Sequence, residues 1–329
     1  MTGAAEQELV VGVDSGGSGL RIALARADGG RVLDTVASRE PVRTGGAGID
    51  ADHLLAQVLP AVEAMTARAA AAGSARVVAV AVGAAGMATL GDVLRAELPG
   101  AFARAWGVRR LALAADAVTA YAGALGQRPG AVVAGGTGLI AMGTDLTGWR
   151  RADGWGHLLG DCGSGAWIGR AGLEAAMRAY DGRHGGSDEL LARATELFGP
   201  VAGLPGSLYP RSDRPAVLAS FAPAVADRAA AGDPVAAAIL ERAATHIAEA
   251  AAAVCPPEDE VEVALTGGLF KMGEPLLGPL RGALGALLPR AREVPATGDP
   301  LAGAVTIAAA LATGTLRLPE DPRLLEVTR

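Results

Sequence analysis

The chain has 329 residues, with 29 basic and 35 acidic side chains and a formal net charge of −6. Half of the residues are hydrophobic, which excludes an intrinsically disordered chain. The two cysteines are too few for a disulfide scaffold or a four-cysteine zinc site, and they suit a reducing compartment.

The distribution of charge narrows the class of partner further. An acidic chain without clusters of Lys and Arg argues against nucleic acid as the main partner. No apolar run approaches the roughly 20 residues that cross a membrane. Residues 1–8 carry acids rather than the basic and apolar segments of a secretory signal. We therefore expect a cytoplasmic protein that has no membrane partner and is long enough for two domains.

The first part of the chain predicts a β-meander followed by alternating helices and strands. The meander strands are Glu8–Val13, Leu20–Arg26 and Val32–Ser38, with a turn at Asp28-Gly29-Gly30. A glycine-rich loop follows at residues 41–48. The later predicted elements are a helix from Asp50 or Asp52 to about Ala72, a strand Val77–Val82, a short helix from about Thr89, a strand Leu111–Ala114 and a helix from Ala117 to about Leu125.

The same pattern starts again near residue 131. Gly135-Gly-Thr-Gly-Leu139 repeats Gly16-Gly-Ser-Gly-Leu20, and both segments follow the first strand of a meander. A chance match of small residues is the alternative, but the flanking strands repeat as well. The second meander comprises Ala131–Ala134, Leu139–Gly143 and Trp149–Ala152. The repeat predicts an α/β fold made of two duplicated domains.

A helical block follows the second meander. The predicted helices are Ser164–Tyr180, Ser187–Phe198, Asp213–Ala231 and one that starts at Asp233-Pro234 and runs to about Val254. A strand Glu262–Leu265, a turn at residues 266–268 and a helix Leu301–Leu311 complete the pattern. We predict one domain over residues 1–118, completed by the helix near 300–315, and a second over 119–299 with a helical insert.

Two glycine turns are candidates for binding phosphate. The first is Asp14-Ser-Gly-Gly-Ser18 and the second is Gly135–Gly138. Each offers backbone N–H groups and a hydroxyl to phosphate oxygens. Asp14, at the end of a strand, could hold Mg²⁺ through water, because this ion dehydrates reluctantly. Ordinary tight hairpins are the alternative, but one such turn in each half favours a triphosphate held from both sides.

Asp116 follows a buried strand and stands at the start of a predicted helix. Its side chain could simply cap that helix. Alternatively, it is a carboxylate at the carboxyl end of a strand, where open α/β sheets bind their ligands. There it could accept the proton of an attacking hydroxyl during phosphoryl transfer.

The most distinctive segment is Gly154-Trp-Gly-His-Leu-Leu-Gly-Asp-Cys-Gly-Ser164, directly before a helix. Its glycines allow the backbone to approach a ligand, and the helix N-terminus is expected to present free N–H groups. Trp155 could line a sugar face while Asp161 accepts hydrogen bonds from sugar hydroxyls. A purely structural loop is the alternative. His157 and Cys162 lack the neighbours that a metal site or a catalytic cysteine requires.

The turn Thr266-Gly267-Gly268 would let a flat ring lie against the backbone. Taken alone, a Gly-Gly turn after a strand is a weak signal. The turn indicates a binding site only in combination with the other motifs.

The ordered set of motifs resembles the N-acetylglucosamine kinase and BadF/BadG-type ATPase family of the actin, sugar kinase and heat shock ATPase superfamily. The resemblance extends from about residue 9 to residue 313. Its motifs are the first glycine turn, Ala115-Asp116-Ala117, the second glycine turn, residues 154–164 and Leu265-Thr-Gly-Gly-Leu-Phe270.

The resemblance implies two ribonuclease-H-like domains with a central cleft for ATP and Mg²⁺, and an enzyme that phosphorylates an amino sugar. N-acetylglucosamine and its 6-hydroxyl are the expected acceptor, and a homodimer is the expected assembly. The implied base is Asp116, which also contacts the sugar, and the implied metal residue is Asp14. The implied nucleotide residues are Asp14, Gly16, Gly17, Ser18, Gly136, Thr137, Gly138, Gly267 and Gly268, and the implied sugar residues are Thr137, Trp155, Gly156 and Asp161.

The chain departs from the family pattern at two positions, and the first of these departures leaves the sugar open. The family places an asparagine in the loop before the first long helix, whereas this chain has Thr44-Gly-Gly-Ala-Gly-Ile49. Cys162 stands where an acidic residue is common. Glucosamine or an N-acetylmuramic acid-like sugar are therefore alternative acceptors. Other roles in this fold are a nucleotide-dependent regulatory protein and an ATPase activator with a shared iron–sulfur cluster, for which the chain has no cluster-binding segment.

Overall fold

The computed structural model describes residues 6–16, 19–38, 40, 42–45, 48–71, 73–257 and 260–329. Their contacts divide the chain into two compact units. Unit 1 comprises Met1–Pro129, Thr144–Trp149 and Pro295–Arg329, and unit 2 comprises Gly130–Gly143 and Arg150–Val294. Within the described ranges, no helix is both long and apolar enough to span a bilayer.

The secondary structure alternates between strands and helices in both units. The strands are β1 Gln7–Gly16, β2 Gly19–Arg26, β3 Val32–Ser38, β4 Thr44–Gly45, β5 Gly48–Ile49, β6 Ala75–Ala84, β7 Arg110–Ala115, β8 Gly130–Gly135, β9 Leu139–Thr144, β10 Trp149–Asp153, β11 Glu262–Thr266, β12 Arg292–Pro295 and β13 Leu325–Thr328. The helices are α1 Ala51–Ala70, α2 Met87–Leu90, α3 Asp92–Trp106, α4 Asp116–Leu125, α5 Gly165–Tyr180, α6 Asp188–Phe198, α7 Leu204–Leu208, α8 Arg214–Ala219, α9 Ala222–Ala230, α10 Pro234–Val254, α11 Glu274–Leu287 and α12 Pro300–Thr313. Short 3₁₀ helices occupy Val201–Gly203 and Gly268–Met272.

The sheet of unit 1 has the strand order β13-β7-β6-β1-β2-β3. The meander β1-β2-β3 is antiparallel, whereas β6 runs parallel to β1 and β7 runs parallel to β6. The centres of β1 and β6 are continuous runs of buried residues. Such runs are typical of strands that are covered on both faces.

The sheet of unit 2 repeats this order as β10-β9-β8-β11-β12, with β11 parallel to β8. In each unit, the three meander strands come first and the next two strands of the sheet lie beside the first meander strand. The two glycine turns occupy equivalent positions, between the first and second strands of their sheets. The predicted duplicated α/β fold is therefore confirmed by the topology.

Four predicted helix starts are confirmed by side-chain caps. In each case the side-chain oxygen accepts a hydrogen bond from the backbone N–H three residues later, which satisfies a donor that the helix itself leaves unpaired. The capping residues are Asp50, Ser164, Ser187 and Asp233.

Two predictions of local structure are wrong. The single helix predicted over residues 213–231 is instead the pair α8 and α9, which are separated at Ser220 and Phe221. Pro223 explains the break, because proline is tolerated in the first turn of α9 but would interrupt a continuous helix. The loop predicted at residues 41–48 also contains the short paired strands β4 and β5. Strands β12 and β13 and helix α11 were not predicted.

Helix α12 packs closely on α4 and β1 of unit 1, because glycines leave no side chains at these contacts. A Cβ atom added at Gly303 would lie 1.9 Å from the carbonyl oxygen of Thr119 in α4. A Cβ atom added at Gly12 in β1 would lie 2.8 Å from the backbone nitrogen of Val305. Both distances are shorter than any real contact of such an atom, so the backbones could not approach this closely with larger residues. This packing explains why α12 consists largely of small residues.

We expect Gly303→Ala to destabilise the protein, because the added methyl group would collide with the backbone of α4. Overpacking of this kind costs about 1–3 kcal/mol. Gly282→Ala is the matched control, because Gly282 lies in helix α11 with open space around it. Alanine should stabilise that helix by up to about 1 kcal/mol. Thermal unfolding of the two variants checks the prediction, and an unchanged or raised Tm for Gly303→Ala would contradict it.

Candidate functional site

Asp14 is held by an arginine on the neighbouring strand. The pairing of β1 with β2 places Arg21 directly opposite Asp14. Arg21 donates to Asp14 Oδ2 from Nε at 3.0 Å and from Nη2 at 2.5 Å. Its Nη1 donates to Asp299 Oδ2 at 2.5 Å, and Asp299 caps α12 through the N–H of Ala302. Arg21 thus joins the strand that precedes the first glycine turn to the start of α12.

Sequence reasoning missed Arg21, although a signal was present. Gly16 pairs with Gly19 across the tight turn, and counting outward from that pair leads to Asp14 and Arg21 as partners. Burial raises the pKa of Asp14 above its usual value, while the hydrogen bonds and charge of Arg21 act in the opposite direction. The Asp14 side chain is only 13% exposed.

The donor set around Asp14 fits a metal ion that is brought by phosphate. Both bonds from Arg21 end on Oδ2, and Oδ1 accepts no hydrogen bond from the described residues. Mg²⁺ that is bound to phosphates takes only one or two protein carboxylates and keeps several waters. Among the described residues there is no group of three or more His, Cys, Asp or Glu that could hold a metal by itself. Asp14 could therefore serve such an ion only together with a ligand.

Asp116 lies at the same edge of the sheet as Asp14. Asp14 pairs with Gly83 of β6, and Gly83 pairs with Ala114 of β7, two residues before Asp116. Strand β6 lies between β1 and β7, so the backbones at Asp14 and Ala114 are about 10 Å apart across the sheet. The prediction that Asp116 follows the carboxyl end of a buried strand is confirmed.

The reading of Asp116 as a helix cap is wrong. The capping position is Ala115, and Asp116 is the first helical residue of α4. Its Oδ1 accepts the N–H of the adjacent Ala117 at 2.9 Å, and the residue is exposed.

Of the first glycine turn, Gly16 ends β1 with open space beside it, whereas Gly17 and Ser18 lie outside the described residues.

The second glycine turn is bound by the start of helix α5. The N–H of Gly165 donates to the carbonyl oxygen of Gly136 at 2.9 Å, and the N–H of Ala166 donates to that of Thr137 at 3.0 Å. The Ser164 hydroxyl accepts the next N–H of the helix, from Trp167. The prediction that this helix start presents free N–H groups to a ligand is therefore wrong.

Free amides occur in the turn itself instead. The N–H of Gly136 donates across the turn to Gly138 at 2.9 Å. The N–H groups of Thr137 and Gly138 donate to no acceptor within the described part of the chain. Adjacent unpaired amides in a tight turn make a concave site for an anion.

The loop at residues 154–164 is closed by two carboxylates. Asp153 Oδ1 accepts the N–H of Asp161 at 2.5 Å, and Oδ2 accepts the N–H of Cys162 at 2.8 Å. Asp161 Oδ1 in turn accepts the N–H of Gly156 at 3.2 Å, and a Cβ atom added at Gly138 would lie 2.7 Å from Asp161 Oδ2. The Asp161 carboxylate therefore connects the loop to the second glycine turn by direct packing.

Asp161 is therefore engaged with the backbone rather than open to solvent. It is 9% exposed, and burial raises its pKa above the usual value, although hydrogen bonds from the backbone oppose the rise. Burial also raises the pKa of the Cys162 thiol, which disfavours the thiolate that nucleophilic chemistry requires. Sequence reasoning missed Asp153, because a single acid before a glycine is a common turn residue.

Trp155 presents a large aromatic side chain at the surface of this loop. It is 64% exposed, and the guanidinium of Arg151 lies 4.4 Å from the centre of its ring. Arg151 also donates to the carbonyl oxygens of Asp153 and Gly154, at 3.1 and 2.6 Å. These contacts hold one face of the ring, so that the side chain is presented in a defined orientation. The adjacent Gly156 is exposed.

The turn at Gly267 lies against the second glycine turn. β11 pairs with β8 up to Thr266 and Ala134, so both turns start at the same sheet edge. Gly267 has a φ of +104°, and a Cβ atom there would lie 2.1 Å from the carbonyl oxygen of Gly135. Gly268 has open space beside it. Within unit 2, three motifs that are far apart in sequence are thus in contact.

Comparisons with known proteins identify the family and the fold of the chain. Residues 11–305 match the sequence profile of the BadF/BadG/BcrA/BcrD ATPase family. A curated relative, the N-acetylmuramic acid/N-acetylglucosamine kinase of Clostridium acetobutylicum, is 44% identical over 69 residues. That match covers 21% of this chain and only 22% of the relative's length.

Solved structures share the fold over nearly the whole chain. A protein from Chromobacterium violaceum, designated a "putative N-acetylglucosamine kinase", is 29% identical, with a TM-score of 0.65 over 94% of this chain and 100% of its own. A ROK family glucokinase from Streptomyces griseus, solved with glucose and AMPPNP, shares the fold at 20% identity, with a TM-score of 0.53 over 93% of this chain and 99% of its own. The chain belongs to the BadF/BadG/BcrA/BcrD ATPase family.

Proposed function

We propose that this protein is an ATP-dependent kinase that phosphorylates an amino sugar, with N-acetylglucosamine as the first candidate and its 6-hydroxyl as the acceptor. The observation that carries the proposal is the contact, in unit 2, of the second glycine turn with both the loop at 154–164 and the turn at Gly267. This contact joins a turn whose unpaired amides are suited to phosphate to a loop whose exposed tryptophan is suited to a sugar. The names of the Clostridium acetobutylicum and Chromobacterium violaceum relatives support the same acceptor.

Unit 1 supplies the acid–base chemistry in this proposal. Asp116 accepts the proton of the sugar hydroxyl while the hydroxyl oxygen forms a bond to the γ-phosphorus of ATP and the bond to the β-phosphate oxygen breaks. The products are the sugar phosphate and ADP. Asp14 would hold Mg²⁺, which when bound neutralises charge on the phosphates. Gly16, Gly17 and Ser18 would contact the same phosphates.

Unit 2 supplies the positions of both substrates. Gly136, Thr137 and Gly138 would bind phosphate oxygens through the turn, and Gly267 and Gly268 would lie against the adenosine. One face of Trp155 is covered by Arg151, which leaves the opposite face for a sugar ring. Gly156 would add exposed backbone beside that ring, and Thr137, in the second glycine turn, would also contact the acceptor.

The proposed acceptor also has alternatives that one assay separates. We expect ADP release to depend on sugar, and to be fastest with one member of a panel of N-acetylglucosamine, glucosamine, N-acetylmannosamine, N-acetylmuramic acid and glucose. The 6-deoxy analogue of the best sugar should not be phosphorylated. Equal ADP release with and without every sugar would contradict the proposal and favour a nucleotide-dependent ATPase or regulatory protein. We further propose a homodimer, which light scattering of the full chain tests.

Replacement of Asp116 tests the catalytic role. We expect Asp116→Asn to lower kcat by about 10²–10⁴-fold, because general-base catalysis typically contributes that much. The affinity for AMPPNP should be unchanged. The matched control is Asp92→Asn, because Asp92 is also an exposed first helical residue, at the start of α3, and should leave kcat unchanged. Wild-type turnover by Asp116→Asn would rule out its assignment as the base.

A further inference from the structure

We infer that Asp153 is a positioning residue, which acts through Asp161 to hold the loop at 154–164 and the second glycine turn in one arrangement. The inference rests on the proposed function in so far as that function assigns sugar to the loop and phosphate to the turn. Asp153 is not expected to contact either ligand. It determines where the groups that do contact them lie.

The backbone at Asp153 indicates that its side chain is needed there. Asp153 has a φ of +60° and Asp161 has a φ of +54°. This left-handed conformation is disfavoured for any residue with a Cβ atom, and aspartate adopts it more readily than most because its short side chain binds nearby backbone. Glycine would adopt it without strain. The presence of aspartate therefore indicates that the hydrogen bonds of its carboxylate stabilise the structure by more free energy than the left-handed backbone costs.

Both oxygen atoms of the Asp153 carboxylate accept hydrogen bonds. They accept the N–H groups of Asp161 and Cys162, across the whole length of the loop. A Cβ atom at Gly160 would lie 2.3 Å from Oδ1, so the chain could not approach the carboxylate with a larger residue at that position. Asp153 thus determines where the backbone of Asp161 lies.

Asp161 extends this restraint in two directions. Its Oδ1 accepts the N–H of Gly156, beside Trp155, and its Oδ2 faces Gly138 of the second glycine turn. A Cβ atom at Gly138 would lie 2.7 Å from Asp161 Oδ2, so the turn packs directly on the carboxylate. A shift of Asp161 would therefore move the backbone beside the sugar and the unpaired amides of the turn together.

Two consequences follow for binding. Loss of the Asp153 carboxylate should weaken nucleotide binding, although Asp153 itself does not reach the nucleotide. In addition, a sugar that orders the loop should raise the affinity for nucleotide, because the same carboxylate orders the turn. Such coupling is reciprocal, and values of 5–150-fold are typical of coupled sites.

Nucleotide binding without sugar tests the first consequence. We would measure the affinity of the full chain for Mg²⁺ and AMPPNP by calorimetry. Asp153→Gly removes the carboxylate but permits the same backbone conformation, and should weaken binding about tenfold. Asp153→Asn keeps one acceptor oxygen and should weaken binding less. An affinity of Asp153→Gly equal to that of the wild type would overturn the inference, whatever the sugar assays show.

A control variant separates positioning from general stability. Asp145 also binds the backbone of a turn, between β9 and β10, where its Oδ1 accepts the N–H groups of Thr147 and Gly148. Asp145→Gly should lower Tm but leave the affinity for AMPPNP unchanged. Equal losses of affinity in the two variants would show that only stability is affected, and would also overturn the inference.

The second consequence is measured with the sugar that gives the fastest turnover. The wild type should bind AMPPNP more tightly when this sugar is present, and Asp153→Gly should lose most of that increase. The variant should also raise the KM values of sugar and ATP more than it lowers kcat. If no sugar gives turnover, the proposed function fails, whereas the result with nucleotide alone still decides the role of Asp153.

Discussion

The first turn of helix α5 is the contact on which the arrangement of unit 2 depends. A helix start has backbone N–H groups without partners inside the helix, and buried donors must be satisfied. Here the first two donate to the carbonyl oxygens of Gly136 and Thr137. Because these peptide oxygens are turned toward the helix, the N–H groups of Thr137 and Gly138 remain available in the turn. The helix thus orients the turn through its first N–H groups.

The two units share a topology but differ in the groups that restrain their glycine turns. In unit 1, the strand before the glycine turn carries Asp14, and the neighbouring Arg21 connects it to the start of α12. In unit 2, the corresponding strand ends in Gly135, and the restraints come from α5 and Asp161. Duplication therefore preserved the sheet and the turn, while the charged groups around each turn diverged. The proposed function assigns acid–base chemistry to unit 1 and most contacts with the substrates to unit 2.

Local sequence signals predicted the elements well where the chain itself supplies the cause. Caps such as Asp50, Ser164 and Asp233 are visible because a side chain and a backbone donor three residues later suffice to define them. The break between α8 and α9 was missed because alanine-rich sequence favours helix on both sides of Pro223. The edge strands β12 and β13 were missed because they are short and lack a continuous apolar run.

The candidate site shows the same division between local and long-range information. The sequence by itself determined which residues are available: the repeated glycine turns, the acid after β7 and the glycine-rich loop with Trp155. These depend on residue type and spacing, which a linear pattern contains. Only the tertiary structure decided that Asp153 and Asp161 bind backbone amides, that Arg21 bonds both Asp14 and Asp299, and that the N–H groups of α5 bind the second glycine turn. Such pairings depend on which groups compete for the same donors and acceptors in space, and that competition is settled only when the chain is folded.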